Sequence, residues 1–401
     1  MNHYDIAVCG AGIAGTAAAL AAARRGRKVL LIEKQTIVGG LATSGLIYIY
    51  LPISGQDGKV VTTGIAEELL RYASAYGPFD LPEKYNGVAG GDNGNDPERY
   101  CCCFSPAGYT LTLERLLRDA GVEVYLETTV TGVKCDKDNR ICEAELFCGA
   151  ERWNIAADCF IDASGGAFLL RMAGEKVFGE VNYVTPWFIE KNEARQRENT
   201  YYFTGNLYMN ALNDRNKENR MDQVVSAAET QQFIQLQYQL IREHYDKVAD
   251  RKKCYPVHLP AMPQLRKIAR IDAMSLIDTG EAGLYRPDSI GVAADWRKLA
   301  PSWETPYGAL VPKSIKGALA AGRCINTAGD AWEIFRVIPA AAMTGEAAGV
   351  AASMCCERNI DPAELPVGDL QKELSDAGVI LHIADGHEIL EHFNKKTEVK
   401  L

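Results

Sequence analysis

Three glycines and one acidic residue near the start of the chain have the types and spacing of a nucleotide-binding turn. Gly10, Gly12 and Gly15 form the pattern G-x-G-x-x-G, and Glu33 follows about twenty residues later. Glycines in this pattern permit a tight turn, the close approach of a pyrophosphate and close packing of a helix on a strand. An acid at this distance can bind both hydroxyls of a ribose. The pattern therefore predicts a dinucleotide site, and a glycine turn that serves packing alone is the alternative.

The segments around these residues predict one βαβ unit that positions them. Tyr4 to Cys9 has the pattern of a buried strand, a helix then runs to about Arg25, and Lys28 to Ile32 forms the next strand. The N-terminus of that helix would present free N–H groups and a positive dipole end to a phosphate. Because an acid at position 33 favours a free 2′-hydroxyl, NADP is disfavoured.

Composition narrows the classes of partner. The chain has 401 residues, which suggests two domains or one large elaborated domain. Lys and Arg total 43 against 52 for Asp and Glu, with no long basic run, so we expect neither nucleic acid nor a membrane as a partner. The early apolar stretch from Ala17 follows a glycine turn and is typical of a helix rather than an export signal. We therefore expect a cytoplasmic protein with a small-molecule substrate, and its oligomeric state stays open.

Segments beyond Glu33 resemble a known family. In the stretch EKQTIVGGLAT, Gly39 and Gly40 follow the acid; this resembles the two-dinucleotide-binding-domain, glutathione-reductase-like flavoprotein superfamily, in which the segment lies along FAD. CFIDASGGAF, and the stretch from ETPYGALVPKSIKGALAAGRCI to Ser353, are similar to the FAD-dependent oxidoreductases labelled xanthan lyase-like. Gly166 and Ala167 depart from that family, which has polar residues there. The resemblance implies that FAD is the cofactor.

The predicted fold class is α/β, with a Rossmann-like FAD-binding domain of the mixed ββα type and an inserted α+β substrate or cap domain. The FAD-binding domain is expected to comprise residues 1–175, with a lid-like insertion at about 46–105, and to resume at 301–401, which ends in a tail. Residues 176–300 are expected to form the cap over the flavin, with a helix from Met221 to Tyr245. The turn-rich stretch at 77–95 is predicted to be a surface loop or lid.

The motif and the resemblance together imply the FAD contacts. By resemblance, Val130 meets the adenine through its backbone, and Asp330 holds a ribityl hydroxyl; a plain strand valine and a surface acid are the alternatives. A helix of small residues from Ala340 to Ser353 would direct its N-terminal N–H groups at the flavin ring. The predicted cofactor-binding residues are Gly10, Gly12, Ile13, Ala14, Gly15, Glu33, Lys34, Gly39, Gly40, Ala42, Thr43, Val130, Ala163, Ser164, Gly165, Asp330, Val337 and Ile338.

Candidate catalytic residues lie in the stretch YPVHLPAMPQLRKIARIDA. Arg266 and Arg270 are four residues apart, which would place them on one face of a helix, where they could bind a substrate carboxylate or stabilise an enolate-like anion. His258 could exchange a proton near neutral pH. Surface ion pairs and a structural histidine are the alternatives.

Other reactive residue types carry weaker signals. Cys101, Cys102 and Cys103 are adjacent and lack the C-x-x-C spacing of dithiol reductases, so we expect buried or loop thiols. No His, Cys and carboxylate cluster has the spacing of zinc or iron–sulfur ligands, and G-x-S-x-G is missing, so neither a metal nor hydrolase chemistry is predicted.

These observations predict an FAD-dependent oxidoreductase that transfers a hydride between a small polar organic substrate and flavin N5. No second G-x-G-x-x-G occurs for a nicotinamide dinucleotide, so oxygen, a quinone or a separate electron-transfer protein is the expected second partner. The direction of the reaction stays open. A flavoprotein of tRNA modification and a non-catalytic FAD-binding protein are the alternatives.

Overall fold

The structure of the chain is a computed structural model. It describes residues 2–73, 75–77, 102–193, 203–206, 220–297 and 301–386. Cys101 and most of the stretch at 77–95, predicted to be a loop or lid, lie outside the described residues.

The described residues form a large mixed sheet, several short strand pairs and eight α-helices. The strands are β1 (Asn2–Cys9), β2 (Val29–Ile32), β3 (Ile49–Tyr50), β4 (Cys102–Cys103), β5 (Glu123–Tyr125), β6 (Thr129–Cys135), β7 (Ile141–Cys148), β8 (Glu151–Asp162), β9 (Val177–Phe178), β10 (Asn182–Tyr183), β11 (Trp187–Asn192), β12 (Phe203–Asn206), β13 (Arg220–Met221), β14 (Cys254–His258), β15 (Arg270–Ile271), β16 (Ser289–Ala293), β17 (Trp303–Pro306) and β18 (Ala318–Ala320). The helices are α1 (Ile13–Arg24), α2 (Ile65–Tyr72), α3 (Pro106–Asp119), α4 (Phe168–Ala173), α5 (Ala227–Asp246), α6 (Gly329–Phe335), α7 (Ile338–Arg358) and α8 (Val367–Asp376).

The central sheet has the strand order β5-β2-β1-β8-β7-β6. Strands β5, β2, β1 and β8 run parallel, and β18 pairs in parallel with the last residues of β8. Strands β7 and β6 are antiparallel and extend the sheet along the first half of β8. The mixed parallel and antiparallel architecture confirms the predicted Rossmann-like fold class.

Helices α1 and α7 pack closely because both are built from small residues. A Cβ at Gly345 would lie 3.0 Å from Cα of Ala14, and a Cβ at Gly349 would lie 2.9 Å from Cβ of Ala21. These approaches are too short for an added side chain, so the seam between the two helices requires glycine on α7. Both helices are almost wholly buried in the main core.

Two local predictions need correction. The helix predicted from Met221 begins at Ala227, because Ser226 accepts the N–H of Glu229 and the Glu229 carboxylate accepts the N–H of Ser226. The helix predicted to carry Arg266 and Arg270 does not form.

That last segment is extended because side chains bind its backbone. Oδ1 of Asn182 accepts the N–H groups of Arg266 at 3.1 Å and of Lys267 at 2.9 Å. The buried amide of Gln264 joins neighbouring segments: its Oε1 accepts the N–H of Trp187 at 2.7 Å, and its Nε2 donates to the carbonyl of Gly45 at 2.5 Å. Backbone groups held in this way are not available for helical hydrogen bonds.

A second, smaller hydrophobic core lies within the predicted cap. It contains Val184, Met221, Val224, Phe233, Leu265, Ile268 and Ala269. Ile271, Ala273 and Ile290 belong instead to the main core. The separate core therefore ends near residue 269, whereas the bounds 176–300 for a cap domain stay a prediction.

Within the described residues, no single helix has the length and hydropathy of a membrane span. Helices α6 and α7 meet that test only when they are taken together, across a bend of 83°.

Candidate active site

The carboxyl ends of β1, β8 and β18 open onto one cavity of about 740 Å³. Ligands of open α/β sheets bind at such strand ends, and the volume lies in the range of about 300–1,000 Å³ typical of cofactor sites. Every predicted cofactor-binding residue lines this cavity except Gly15, Thr43 and Asp330. Segments that are far apart in the sequence thus meet at one place.

The three glycines of the opening motif have different surroundings. Gly10 has a φ of +99°, and a Cβ there would lie 2.7 Å from the carbonyl oxygen of Ala163. A Cβ at Gly15 would collide with the carbonyl oxygen of Gly10, so this glycine permits the helix to pack on the turn. A Cβ at Gly12 would meet no atom within 4 Å. Gly12 lines the cavity, so the lack of a side chain there leaves room for a ligand rather than for the protein.

Glu33 is buried at the end of β2 and lines the same cavity. Its Oε2 accepts the N–H of Ala11 at 2.8 Å, and its Oε1 accepts the N–H of Gln35 at 2.9 Å. Burial raises the pKa of Glu33, and these backbone hydrogen bonds act in the opposite direction. Each carboxylate oxygen keeps a lone pair that could accept a hydroxyl.

The Gly39–Gly40 segment is tied to the glycine turn. The N–H of Gly39 donates to the carbonyl of Ala11 at 2.7 Å, and Gly39 has a φ of +101°. Thr43 does not line the cavity; its hydroxyl donates to the carbonyl of Val38 at 2.6 Å and so holds the loop in place. Gly39, Gly40 and Ala42 form part of the cavity wall.

The turn after β8 is shaped by a buried acid. Oδ1 of Asp162 accepts the N–H of Ser164 at 3.0 Å and its hydroxyl at 2.6 Å, and Oδ2 accepts the N–H of Leu170 at 3.0 Å. Burial raises the pKa of Asp162, and these hydrogen bonds oppose that shift. The turn presents Ala163, Ser164 and Gly165 to the cavity.

Two helix N-termini point at the cavity. Helix α1 begins after Gly12 and α7 after Val337, and neither cap residue provides a side-chain hydrogen bond to the first turn. Uncapped N–H groups and the positive dipole ends therefore face a space that could hold an anionic ligand. The cavity residues also carry a positive balance: Lys34, Arg171, Arg323 and Arg336 line it, and among the described residues Glu33 is the only acid that does. The donor set, the open space at Gly12 and the volume fit FAD.

Sequence reasoning missed most of the cap side of the cavity. The cap contributes Val224, Val225, Thr230, Met262, Pro263, Leu265 and Ile268. These residues follow no motif, and only the tertiary contacts bring them over the glycine turn. Sequence reasoning also missed Arg323 and Arg336, although both lie inside the C-terminal segment that carries the family resemblance. A basic residue close to a predicted anion site could have indicated them.

The structure does not bring Asp330 to the cavity. Its carboxylate pairs with Nη1 of Arg297 at 3.0 Å, and its side chain is half exposed. The Asp330 side chain thus already has a partner on the surface. Val130 does line the cavity, next to Thr128 and Thr129.

None of the three predicted catalytic residues lines the cavity, so their catalytic roles stay a prediction. Arg266 donates to the carbonyls of Tyr183 at 3.3 Å and Thr185 at 3.4 Å. Arg270 donates to Oδ1 of Asn326 and lies 4.3 Å from the ring centroid of Phe178, and burial lowers its pKa. His258 is exposed at the end of β14.

Cysteine chemistry finds no support in the described residues. The ten cysteines with described side chains are all free thiols. Burial raises the pKa of Cys355 and of Cys356 to about 12, so both thiols stay protonated at neutral pH. Cys103 is half-buried, and the side chain of Cys102 lies outside the described part of the chain. No cluster of metal ligands occurs among the residues that the structure describes.

A mixed sheet whose parallel strands end at a glycine turn, a buried acid and two helix N-termini at one cavity are typical of the class of dinucleotide-binding flavoproteins. The sequence model of the FAD-dependent oxidoreductases matches residues 5–275 and 186–374. The chain therefore belongs to the FAD-dependent oxidoreductase family: it is an enzyme, and FAD is its cofactor.

Individual relatives are similar to different shares of the chain. A vinyl phenol reductase from Lactiplantibacillus plantarum is 45% identical over 76 residues, which cover 18% of this chain and 15% of the reductase. A geranylgeranyl bacteriochlorophyll reductase-like protein from Thermoplasma acidophilum is 16% identical, with a TM-score of 0.47, over 94% of this chain and 83% of that chain. A 3-ketosteroid dehydrogenase from Rhodococcus jostii is 14% identical, with a TM-score of 0.44, over 88% of this chain and 97% of that one.

Proposed function

We propose that the enzyme transfers a hydride between a small organic substrate and flavin N5, at the cavity between the sheet and the cap. The supporting observation is the convergence of Gly12, Glu33 and the N-terminus of α7 on one cavity. Bound FAD supplies the redox chemistry, since N5 accepts or donates the hydride. The chain's own residues then bind, orient and shield the reactants.

The cofactor would lie along the cavity with its two ends held differently. The N–H groups at the start of α1 would bind the diphosphate, and Glu33 would accept the ribose hydroxyls. The N-terminus of α7, at Val337 and Ile338, would face the flavin ring and favour negative charge on it. Val130 would meet the adenine at the other end.

The cap would cover the reacting face of the ring. Met262, Pro263 and Leu265 form an apolar wall of the cavity, and such a wall excludes water from the site of hydride transfer. Arg336 adds a fixed positive charge, because its Nε and Nη2 lie 2.7 and 2.5 Å from Oε2 of Glu333. Although burial acts to raise it, Arg336 and Lys267 lower the pKa of Glu333 to about 2, so this carboxylate stays ionised at physiological pH.

The second electron partner would be oxygen, a quinone or a separate redox protein, because the sequence holds a single G-x-G-x-x-G. Both directions fit the cavity. The name of the partly matching vinyl phenol reductase makes reduction of an activated carbon–carbon double bond the first to test, with oxidation of alcohols and amines next.

An anaerobic substrate screen tests this function. The purified yellow protein is mixed with alcohols, amines and enoates, and the visible absorbance band of the oxidised flavin is followed. After chemical reduction of the flavin, enoates and a vinyl phenol are added and the return of the same band is followed. Substrate-dependent bleaching or reoxidation is the expected result. A protein that is colourless and binds no added FAD would refute the proposal, and co-purifying RNA would favour the role in tRNA modification.

A further inference from the structure

Arg323 lies at the carboxyl edge of the sheet, beside the glycine turn. It follows Gly322, whose added Cβ would lie 2.7 Å from Cβ of Ala14 in the first turn of α1. The guanidinium covers Gly165, since a Cβ on Gly165 would lie 2.9 Å from both Cζ and Nε of Arg323. Arg323 is therefore held between the N-terminal turn of α1 and the turn after β8, and it lines the cavity.

The hydrogen-bonding capacity of this guanidinium is mostly unused. Nη1 donates to the carbonyl of Leu265, and among the described residues no carboxylate pairs with Arg323. Arg336, on the same cavity, differs because the carboxylate of Glu333 pairs with it. Burial and, to a smaller extent, the charge of Arg336 lower the pKa of Arg323 to about 10. A partly buried cation without a counter-ion is unfavourable, so an anion at this position would stabilise it.

We propose that Arg323 binds the diphosphate of FAD and thereby makes the site selective for a flavin dinucleotide. This inference rests on the proposed function of the cavity. The N-terminus of α1 lines the same cavity as Arg323, and a planar guanidinium can donate two parallel hydrogen bonds to phosphate oxygens. A second anion, such as a substrate carboxylate, is a distinct outcome of the test.

The bond to Leu265 gives this contact a second effect. Leu265 belongs to both the small core of the cap and the apolar wall of the cavity. Arg323 would therefore connect the cap wall directly to the cofactor phosphates, so that cofactor binding and placement of the wall are linked.

Titration of the apoprotein with FAD, followed by quenching of flavin fluorescence, tests the inference. Arg323→Met keeps the length of the side chain and removes its charge, and we expect the Kd for FAD to rise about 10- to 100-fold. We also expect the Kd of the wild type to rise with KCl more steeply than that of Arg323→Met, because salt screens the charge pair. Arg323→Lys keeps the charge but lacks the planar guanidinium with its paired donors, so its Kd for FAD should rise at least about threefold.

Arg358→Met is the matched control, because Arg358 ends the 21-residue helix α7 far from the cavity and pairs with Asp369 on the surface. Its Kd for FAD should equal that of the wild type. A Kd for Arg323→Met within twofold of the wild type would overturn the inference, and so would a raised substrate KM with unchanged FAD binding. If Arg323→Met does not fold, an unchanged Kd in Arg323→Lys overturns it. A wild-type protein that binds no FAD would instead refute the proposed function.

Discussion

The carboxylate of Glu33 accepts the backbone N–H of Ala11 at 2.8 Å, so the acid that ends β2 is fixed to the glycine turn that ends β1. The second oxygen is fixed by the N–H of Gln35 at 2.9 Å. The spacing between acid and glycines seen in the sequence thus corresponds to direct contact. The same carboxylate shapes the turn and keeps lone pairs that could accept hydroxyl groups of a ribose.

Glu33→Gln should weaken FAD binding by about tenfold. An amide has a single oxygen, so it cannot accept the N–H groups of both Ala11 and Gln35, and its NH2 group would face one of these donors. The Kd from fluorescence titration measures the effect. Glu151→Gln, at an exposed position at the start of β8, is the control. Equal Kd values for the two variants would count against a ribose role for Glu33.

Gly12→Ala and Gly15→Ala should separate binding from folding. Gly12 has a φ of −66°, which alanine adopts readily, and open space at its Cβ position, so we expect an apoprotein of near wild-type stability that binds FAD poorly. Gly15→Ala would place a methyl group on the carbonyl of Gly10, so we expect a loss of about 2–4 kcal/mol of stability. Urea unfolding and FAD titration of each variant measure the two effects. A Gly12→Ala protein with normal FAD affinity would contradict the assignment of this space to the cofactor.

Glu346 should make the stability of the protein depend on pH near neutrality. Burial raises its pKa to about 7, against a hydrogen bond from the N–H of Ile65 that acts to lower it. Its unfolded pKa is about 4.5, so the unfolded chain loses this proton first as pH rises. The favourable contribution is complete below about pH 4.5 and is lost as pH rises through about 7.

Glu346→Gln should therefore stabilise the protein at pH 8, by about 1–3 kcal/mol, and change its stability little at pH 4.5. Urea unfolding of the apoprotein across this pH range measures the difference from wild type. Glu114→Gln, on the exposed face of α3, provides the comparison. A pH-independent difference would show that the carboxylate of Glu346 does not hold its proton near neutrality.

Arg336→Met should slow reduction of the flavin by the substrate found in the screen, by about 10-fold or more, because it removes a fixed charge from the cavity. Arg266→Ala and Arg270→Ala should leave that rate within about threefold of wild type, because neither side chain reaches the cavity. Anaerobic stopped-flow measurement at saturating substrate gives the rate. If Arg266→Ala and Arg270→Ala slowed flavin reduction more than Arg336→Met, the two arginines of the extended segment would be the better catalytic candidates.

The parts of the fold that were predictable are those specified by neighbours in sequence. The first βαβ unit follows from its glycines and its apolar pattern, and β1, α1 and β2 lie within a few residues of their predicted bounds. The contacts of Gly12 and Glu33 with the cavity follow from the same local pattern.

The remainder depends on partners that are remote in sequence. Asn182 and Gln264 hold the segment of Arg266 extended, and no helical periodicity in that segment could reveal them. Asp330 was predicted to bind the ribityl chain by resemblance alone. Its ion pair with Arg297 forms between residues 33 positions apart, and no local pattern predicts that contact. The cap wall is assembled from 224–268 by tertiary contacts, which no short motif encodes.

The seam of glycine and alanine between α1 and α7 has a consequence for the geometry of the cofactor. If FAD lies as proposed, one helix starts at the phosphate end of the cavity and the other at the ring end, and their backbones touch where Gly345 meets Ala14. The distance between the two ends would then be set by direct backbone contact, with no compressible layer of side chains between them. We expect that a single methyl group added at this seam would change the distance that the cofactor has to span.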